Sequence, residues 1–448
     1  MFSQISYQHP VVILGLGLTG AACVRYCLKK DWPMMVMDSR EEPTLFESFK
    51  QQYPTIELKL GDFSESTLLN AGLIIVSPGI DLRHPAIQAA IKHEIPLVGD
   101  VELFCLENSQ PIIAVTGSNG KSTLCDCLGQ VLQSLGVQCE VAGNFGQPVL
   151  DLLAQAQQPD VYVLELSSFQ LETLSHLAAD VAVVLNLSAD HLDRHETLAN
   201  YAQIKRRIYT QAKHIVQNAD EALTQLSDAN GPVLQFGQSA DSDFVVTTNE
   251  AGYQIFYQGK CLLNESELQL KGLHNGLNIA ACLAILLAYG IELNSNLYQA
   301  LADYRGLAHR CQPVASDDDI LWINDSKATN TGASLAAINS YTHGDGRLFL
   351  IAGGDAKGAD IDELIPAIEQ QVEHLWVYGK DAALFTNKLD ATRCSRVSDL
   401  TQAVNAVKTI AQAGDRVLFS PACASLDMYS NYQQRGEHFM ALVTGEAQ

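Results

Sequence analysis

Positive charge is scarce in this chain of 448 residues: 28 Lys plus Arg stand against 51 Asp plus Glu, a net charge of −23 at neutral pH. A field of that sign repels polyanions, which excludes bulk nucleic acid and anionic membrane surfaces as partners. Phosphorylated small molecules stay open, because a few basic groups and backbone N–H donors hold those locally. Long hydrophobic runs are absent as well. The longest, Ile279 to Ala288, has roughly half the length of a membrane span. The polar start, Met1 to Pro10, lacks the basic and apolar segments of a secretion signal, so a cytoplasmic protein is expected. No CxxC pair occurs among the eleven scattered cysteines, which predicts reduced thiols rather than a disulfide framework or a zinc site. Short-period repeats and low-complexity linkers are missing too.

What is present reads as globular: 47% hydrophobic and 18% charged residues exclude a disordered chain. At about 150 residues per domain, the length suggests three domains. Short apolar runs alternate with helix-like stretches, the pattern of an α/β protein. Strands are predicted at Val11–Leu14, Met34–Met37, Leu73–Val76, Ile112–Thr116, Val161–Glu165 and Val181–Asn186, and later at Leu321–Asn324, Leu348–Ala352, His374–Tyr378 and Arg416–Ser420. Their near-continuous apolar character marks strands buried on both faces of mainly parallel sheets. Phe244 to Leu270 alternates more and predicts a small antiparallel addition. Glycine turns follow strands near Gly15, Gly117 and Gly353, each opening a fresh βα unit. They predict domains over 1–99, 100–306 and 307–448.

The strongest local signal is Ala114-Val-Thr-Gly-Ser-Asn-Gly-Lys-Ser-Thr123, an apolar strand running into a glycine loop with a lysine and two hydroxyls at a helix start. Backbone N–H groups of such a loop form an anion cradle around Ser118, Asn119 and Gly120. Lys121 suits the β/γ-phosphates and the Ser122 hydroxyl suits Mg²⁺. Val115 stands where the strict P-loop has its first glycine, so the loop is a variant; a merely structural turn is the plainer reading. Gly15-Leu-Gly-Leu-Thr-Gly20 fits GxGxxG, and Asp38 lies where a ribose-binding acid would sit. A packing turn, a dinucleotide and another nucleotide-bearing ligand are all compatible with it. Ser77-Pro-Gly79 closes a neighbouring strand, and Arg40 is a candidate phosphate or base contact.

Glu165 ends one strand and His191 follows the next, so both are candidates to converge on the phosphates, with Mg²⁺ between. Asp193, Arg194 and His195 read as a solvated turn. Lys205-Arg206-Arg207 lies on a predicted helix, and a basic run of that kind is ordinarily a solvated face; spacing assigns Lys205 no function. Asn275 and Asn278 open an apolar helix as caps or base contacts. Asp325, Lys327 and Thr329 cluster at a strand end, and Gly353 to Gly358 and Ser420 to Asp427 end other strands on that edge. With His309-Arg310, which precedes the first of these strands, four such segments in one domain favour a site.

Together these residues resemble the Mur ligase family of cell-wall enzymes, over essentially the whole chain. The resemblance rests on Thr116-Gly-Ser-Asn-Gly-Lys-Ser-Thr123, Gly143-Asn-Phe-Gly146, Glu165-Leu-Ser-Ser-Phe-Gln170, Asp190-His191, His274-Asn275, His309-Arg310 and Asn324-Asp-Ser-Lys-Ala-Thr329. Ser420 to Asp427, with Asn431-Tyr432 and Arg435-Gly436, resembles the D-glutamate-adding branch. The resemblance implies a Rossmann-like first domain, a central P-loop ATPase-like domain and a Rossmann-like third domain. It implies ATP-dependent amide formation through an acyl phosphate, with ATP, UDP-N-acetylmuramoyl-L-alanine and D-glutamate as small-molecule partners, and a monomer.

By the same resemblance, Lys121, Ser122 and Thr123 hold the ATP phosphates, and Asn275, Asn278, Arg310 and Asp325 contact ATP. Ser122, Glu165, His191 and Lys205 serve two Mg²⁺ ions. Lys205 matches the lysine that the family carries as a carbamate. Leu18, Thr19, Asp38, Arg40, Ser77, Gly79 and Asn144 contact the UDP substrate; Lys327, Thr329, Lys357, Ser425, Leu426 and Tyr432 surround D-glutamate. Tyrosine at the last position departs from the phenylalanine expected there. A folylpolyglutamate synthase-like ligase shares the central domain but not the first, and a dinucleotide oxidoreductase leaves the Lys121 loop unexplained.

Overall fold

The computed structural model describes residues 4–188, 190–226, 231–341 and 346–446. They form two compact units, one of residues 1–243 with 281–297 and the other of 244–280 with 298–448. No helix among the described residues is long and apolar enough to cross a membrane.

The first unit holds two parallel sheets. In the first, β1 (Val11–Leu14), β2 (Met34–Asp38), β3 (Glu57–Leu60), β4 (Leu73–Val76) and β5 (Leu97–Val98) lie in the order β3-β2-β1-β4-β5. Every residue of β1 is buried, as its run of Val and Ile on both faces requires. The chain order reverses between β1 and β4, and a crevice opens there beyond the strands' C-terminal ends, at Gly15 and Ser77. The second sheet contains β6 (Ile112–Thr116), β7 (Cys139–Gly143), β8 (Val161–Glu165), β9 (Val181–Val184), β10 (His214–Asn218) and β11 (Val233–Gly237), ordered β11-β10-β9-β6-β8-β7. With β6 between β8 and β9, the ends of three parallel strands meet, carrying Thr116, Glu165 and Val184. One hydrophobic core runs under both sheets, from Val11 and Phe104 to Tyr162 and Ile215.

The second unit contains an antiparallel meander of β12 (Phe244–Asn249), β13 (Gly252–Tyr257) and β14 (Lys260–Asn264). Its main sheet holds β15 (Gln312–Val314), β16 (Leu321–Asn324), β17 (Leu348–Gly353), β18 (His374–Tyr378), β19 (Cys394–Arg396) and β20 (Arg416–Phe419), ordered β15-β16-β20-β17-β18-β19. Only β15 is antiparallel, so the loops after β16, β17, β18 and β20 leave the same edge.

All ten predicted strands form, with ends shifted at some. β9 stops at Val184 rather than Asn186, because the Asn186 carboxamide is drawn to the backbone of Asn119. Sequence reading missed β3, β5, β7, β15 and β19, which are all edge strands, and also β10 and β11. Edge strands are covered less completely, so their sequences, such as Glu57-Leu-Lys-Leu60, lack a continuous apolar run.

Candidate active site

The glycine loop leaves β6 and returns as the helix Lys121–Ser134. Gly120 caps that helix at φ +79°, a conformation that favours glycine, with no side-chain cap. The loop is pinned from β9: Ser118 N donates to Asn186 O at 2.9 Å, and Asn119 N donates to Asn186 Oδ1 at 2.8 Å. Lys121 folds back, its Nζ 2.8 Å from the Ser118 carbonyl. Ser122 and Thr123 are buried in the first turn.

Glu165 is 1% exposed. Asn144 Nδ2 donates to its Oε1 at 2.6 Å, while Oε2 is buried with no hydrogen-bond partner. Asn144 reaches it because β7 ends in Gly143 at φ +102°, where a Cβ would stand 2.3 Å from the Glu165 carbonyl. That close approach also lets Asn144 N donate to Glu165 O at 2.8 Å.

Lys205 corrects the expectation of a solvated basic face: it is 1% exposed, on the helix Leu198–Arg206. Its Nζ donates to the Gly117 carbonyl at 2.8 Å and to Thr116 Oγ1 at 3.1 Å, and lies 4.7 Å from the centre of the Tyr201 ring. Burial pushes its pKa well below the ordinary lysine value; repulsion from Lys121 adds to this, and Asp190 and Glu165 oppose it. A neutral amine has two N–H donors, and both have acceptors here. The lone pair remains.

His191 is exposed, at φ +53°, and its ring meets Phe169 edge-on at 4.9 Å. Two residues of the turn after it, Arg194 and His195, depart from the expected solvated turn, while Asp193 is exposed as expected. Arg194 has a side chain 9% exposed, and His195 is buried, stacked 5.4 Å from Phe169 with Nε2 2.9 Å from Ser168 Oγ. Burial, helped by Arg194, lowers the His195 pKa to about 4, so the ring is neutral at pH 7. Tyr201 joins this cluster to the loop, its hydroxyl 3.3 Å from Ser118 Oγ. Sequence reading missed Tyr201, Arg194 and His195, since nothing in local spacing distinguishes a buried turn from a solvated one.

In the first sheet's crevice, Asp38 accepts from Leu16 N at 2.7 Å and is chelated by Arg40 at 2.7 and 2.8 Å. Burial opposes its ionisation, but Arg40 and the backbone donors outweigh it and hold the carboxyl below its usual range. Ser77 Oγ donates to Gly15 O at 3.3 Å, Gly79 faces open space, and Leu18 and Thr19 open a helix at a cap without a side-chain acceptor. Leu18 is 74% exposed.

The second unit gathers the remaining candidates. Asn275 Nδ2 donates to the Lys271 carbonyl at 2.9 Å, and Asn278 Nδ2 to Asn275 Oδ1 at 3.3 Å. At the common edge, Asp325 is buried and accepts from Ser420 Oγ at 2.7 Å and Cys311 N at 3.2 Å; desolvation raises its pKa to about 7. Arg310 follows His309, a residue at φ +63°. Lys327 Nζ lies 4.0 Å over the Tyr432 ring, and Thr329 is half-buried beside it in sequence. Lys357 is exposed, Ser425 buried and Leu426 67% exposed. Arg435, which sequence reading quoted without a role, is fully buried and ties two of these loops together. Its Nη2 donates to Ser326 O at 2.8 Å and its Nη1 to Cys423 O at 3.1 Å.

Three family models match the chain in succession: Mur ligase MurD-like N-terminal domain over residues 9–99, Mur ligase middle domain over 115–286, and Mur ligase glutamate ligase domain over 309–423. The chain belongs to the Mur ligase family. It is an ATP-dependent ligase with three α/β domains. This Mur ligase is 43% identical to the UDP-N-acetylmuramoylalanine–D-glutamate ligase of Colwellia psychrerythraea, over 97% of this chain and 96% of that one. It is 41% identical to the enzyme of the same name from Marinobacter nauticus, over 99% and 100%. Among solved structures it is similar in fold to the MurF ligase of Thermotoga maritima in complex with ADP (TM-score 0.63, 16% identity, covering 100% and 98%). The UDP-N-acetylmuramate-alanine ligase of the same organism gives a TM-score of 0.60 at 17% identity, covering 96% and 98%.

Proposed function

We propose that this Mur ligase joins D-glutamate to UDP-N-acetylmuramoyl-L-alanine in the cytoplasm, with ATP as the energy source, for peptidoglycan synthesis. The observation that carries the reading is the full-length similarity to ligases of that name. Its eleven free thiols fit a reducing compartment.

A substrate carboxylate oxygen attacks the γ-phosphorus of ATP, the bond to the bridging oxygen breaks, and ADP leaves. The D-glutamate amine then attacks the acyl carbon; the C–O bond breaks, phosphate departs and an amide remains. Such phosphoryl transfer is mostly positioning and charge neutralisation. Ser118, Asn119, Gly120 and the N–H groups at Ser122 and Thr123 cradle the phosphates, and Lys121 supplies positive charge. The uridine diphosphate lies in the crevice beside Leu18, Thr19, Asp38, Arg40, Ser77 and Gly79, and Asn144 meets the substrate's far end. The Lys327, Thr329, Lys357, Ser425, Leu426 and Tyr432 loops take D-glutamate.

The donor set fits Mg²⁺ bound largely through ATP and water. Glu165 Oε2 is a buried oxygen without a donor, while no group of three or more His, Cys, Asp or Glu among the described residues could cage a metal alone. Ser122, Glu165, His191 and a carbamylated Lys205 would hold it, and bound there Mg²⁺ supplies charge neutralisation at the transferred phosphoryl group. Carbamylation adds CO₂ to the Lys205 amine with loss of a proton. Burial of the amine, which disfavours its charged form, favours this step.

The test is phosphate release from ATP with UDP-N-acetylmuramoyl-L-alanine and a panel of D- and L-amino acids. D-glutamate should be preferred; turnover no better than with the others refutes the assignment.

A further inference from the structure

The turn after His191 does more than lead into a helix. Arg194 spans from the middle domain to the loop that follows β4. Its Nη1 donates to the Ile80 carbonyl at 3.0 Å, its Nη2 to Glu172 Oε2 at 2.5 Å, and its Nε lies 3.6 Å from Asp81 Oδ1. The guanidinium also lies 5.3 Å from the Phe169 ring centre, and the same ring packs on His191 and His195. A second strap runs alongside: Arg83 chelates Asp81 and donates to the Asp193 carbonyl at 3.0 Å, with Glu196 4.0 Å away. The void left between these elements is ≈ 10 Å³, too small for any ligand. The polar groups of Arg194 are therefore engaged by protein, and the residue is placed as a strut rather than a substrate contact.

Its two ends are informative. Ile80 directly follows Ser77-Pro-Gly79, on the crevice side of the first sheet; Phe169 packs on His191 and His195, and His195 packs on Tyr201, whose hydroxyl reaches Ser118 of the phosphate loop. A substrate with a nucleotide at one end and its reacting carboxylate at the other must span both, so the separation of the two loops selects its length. We propose that Arg194 is a positioning residue that locks the Ser77–Asp81 loop to the His191 turn and so sets the register of the UDP substrate against the phosphate loop. This rests on the substrate reading given above. A planar guanidinium serves because it donates in two directions while lying flat on Phe169; an ammonium has neither the fork nor the flat face.

The experiment compares Arg194→Lys and Arg194→Ala with the parent enzyme, measuring kcat and KM for each substrate, the ratio of phosphate released to amide formed, UDP binding by calorimetry, and the thermal midpoint. Misregister of about 1 Å should raise KM or lower kcat for UDP-N-acetylmuramoyl-L-alanine so that kcat/KM falls at least about tenfold. KM for ATP and the affinity for UDP alone should stay within about threefold, since neither ligand spans the seam. Phosphate should outrun amide. If Arg194→Ala fails to fold, Arg194→Lys decides, because it keeps charge and stem. A folded Arg194→Lys enzyme with parental kcat/KM, or a loss in which the KM for ATP rises in step, overturns the proposal. A parent enzyme that does not turn over this UDP substrate overturns the substrate reading itself, and parental activity with unaffected variants overturns only the role of Arg194.

Discussion

Lys205 and Gly117 are 88 positions apart, yet the lysine amine donates a 2.8 Å hydrogen bond to the carbonyl at the start of the phosphate loop. Burial of that amine beside Lys121 disfavours its charge and so favours the unprotonated form, the one that reacts with CO₂. Lys205→Arg should therefore cut turnover by about a hundredfold or more, because a guanidinium stays cationic and forms no carbamate. Lys205→Glu should keep more activity than Lys205→Arg. Stripping bicarbonate should lower the parent rate and its return restore it, read by phosphate release. A fully active Lys205→Arg enzyme would sink the idea.

Lys121 supplies the charge closest in sequence to the cradle, and its Nζ donates to Ser118 O. Lys121→Ala should reduce kcat by roughly a hundredfold, a few kcal/mol of transition-state stabilisation, with the thermal midpoint nearly unchanged. Turnover within about tenfold of the parent would mean that the loop is only structural.

Gly143 ends β7 directly opposite Glu165 of β8. Gly143→Ala puts a methyl 2.3 Å from the Glu165 carbonyl at a φ of +102°, so strain and overlap combine. A loss of about 2–4 kcal/mol in denaturant unfolding is expected, together with lower activity as Asn144 moves off Glu165. Unfolding energies within about 0.5 kcal/mol of the parent would contradict the observed contact.

Asp325 ionises at about 7 in the folded protein, through desolvation, against 3.8 ordinarily. The folded state then binds more protons than the unfolded state between these values. Asp325 therefore costs nothing below pH 3.8, and stability falls as pH rises toward 7, where the full cost of a few kcal/mol is reached. Asp325→Asn should flatten that part of the stability–pH curve and be the more stable form above pH 7, with Ser420 still able to donate. Parallel curves for the two proteins from pH 4 to 8 would refute it.

Much was legible from the chain alone, for physical reasons that differ by element. Strands buried on both faces, such as Val11–Leu14 and Val161–Glu165, must be apolar throughout, so composition reveals them. A glycine loop ending in Gly120-Lys-Ser-Thr123 must turn tightly and open a helix, so its chemistry is written in consecutive residues. The edge strands β3, β5, β7, β15 and β19 carry no such run, because neighbours on one side only leave their composition mixed.

The rest was decided by packing between distant segments. Local sequence made Lys205 one of three basic residues on a solvated face and Arg194 part of a polar turn. Tertiary structure buries both: Lys205 against Thr116 and Gly117, Arg194 against Phe169, Glu172 and Ile80. Burial is a property of what other segments bring, and a cation's chemistry follows from its surroundings rather than its type. The sequence by itself determined which residues carry charge, turns and strands; only the folded chain decided which of those charges are desolvated, and hence which amine has its charge disfavoured and which guanidinium is a strut.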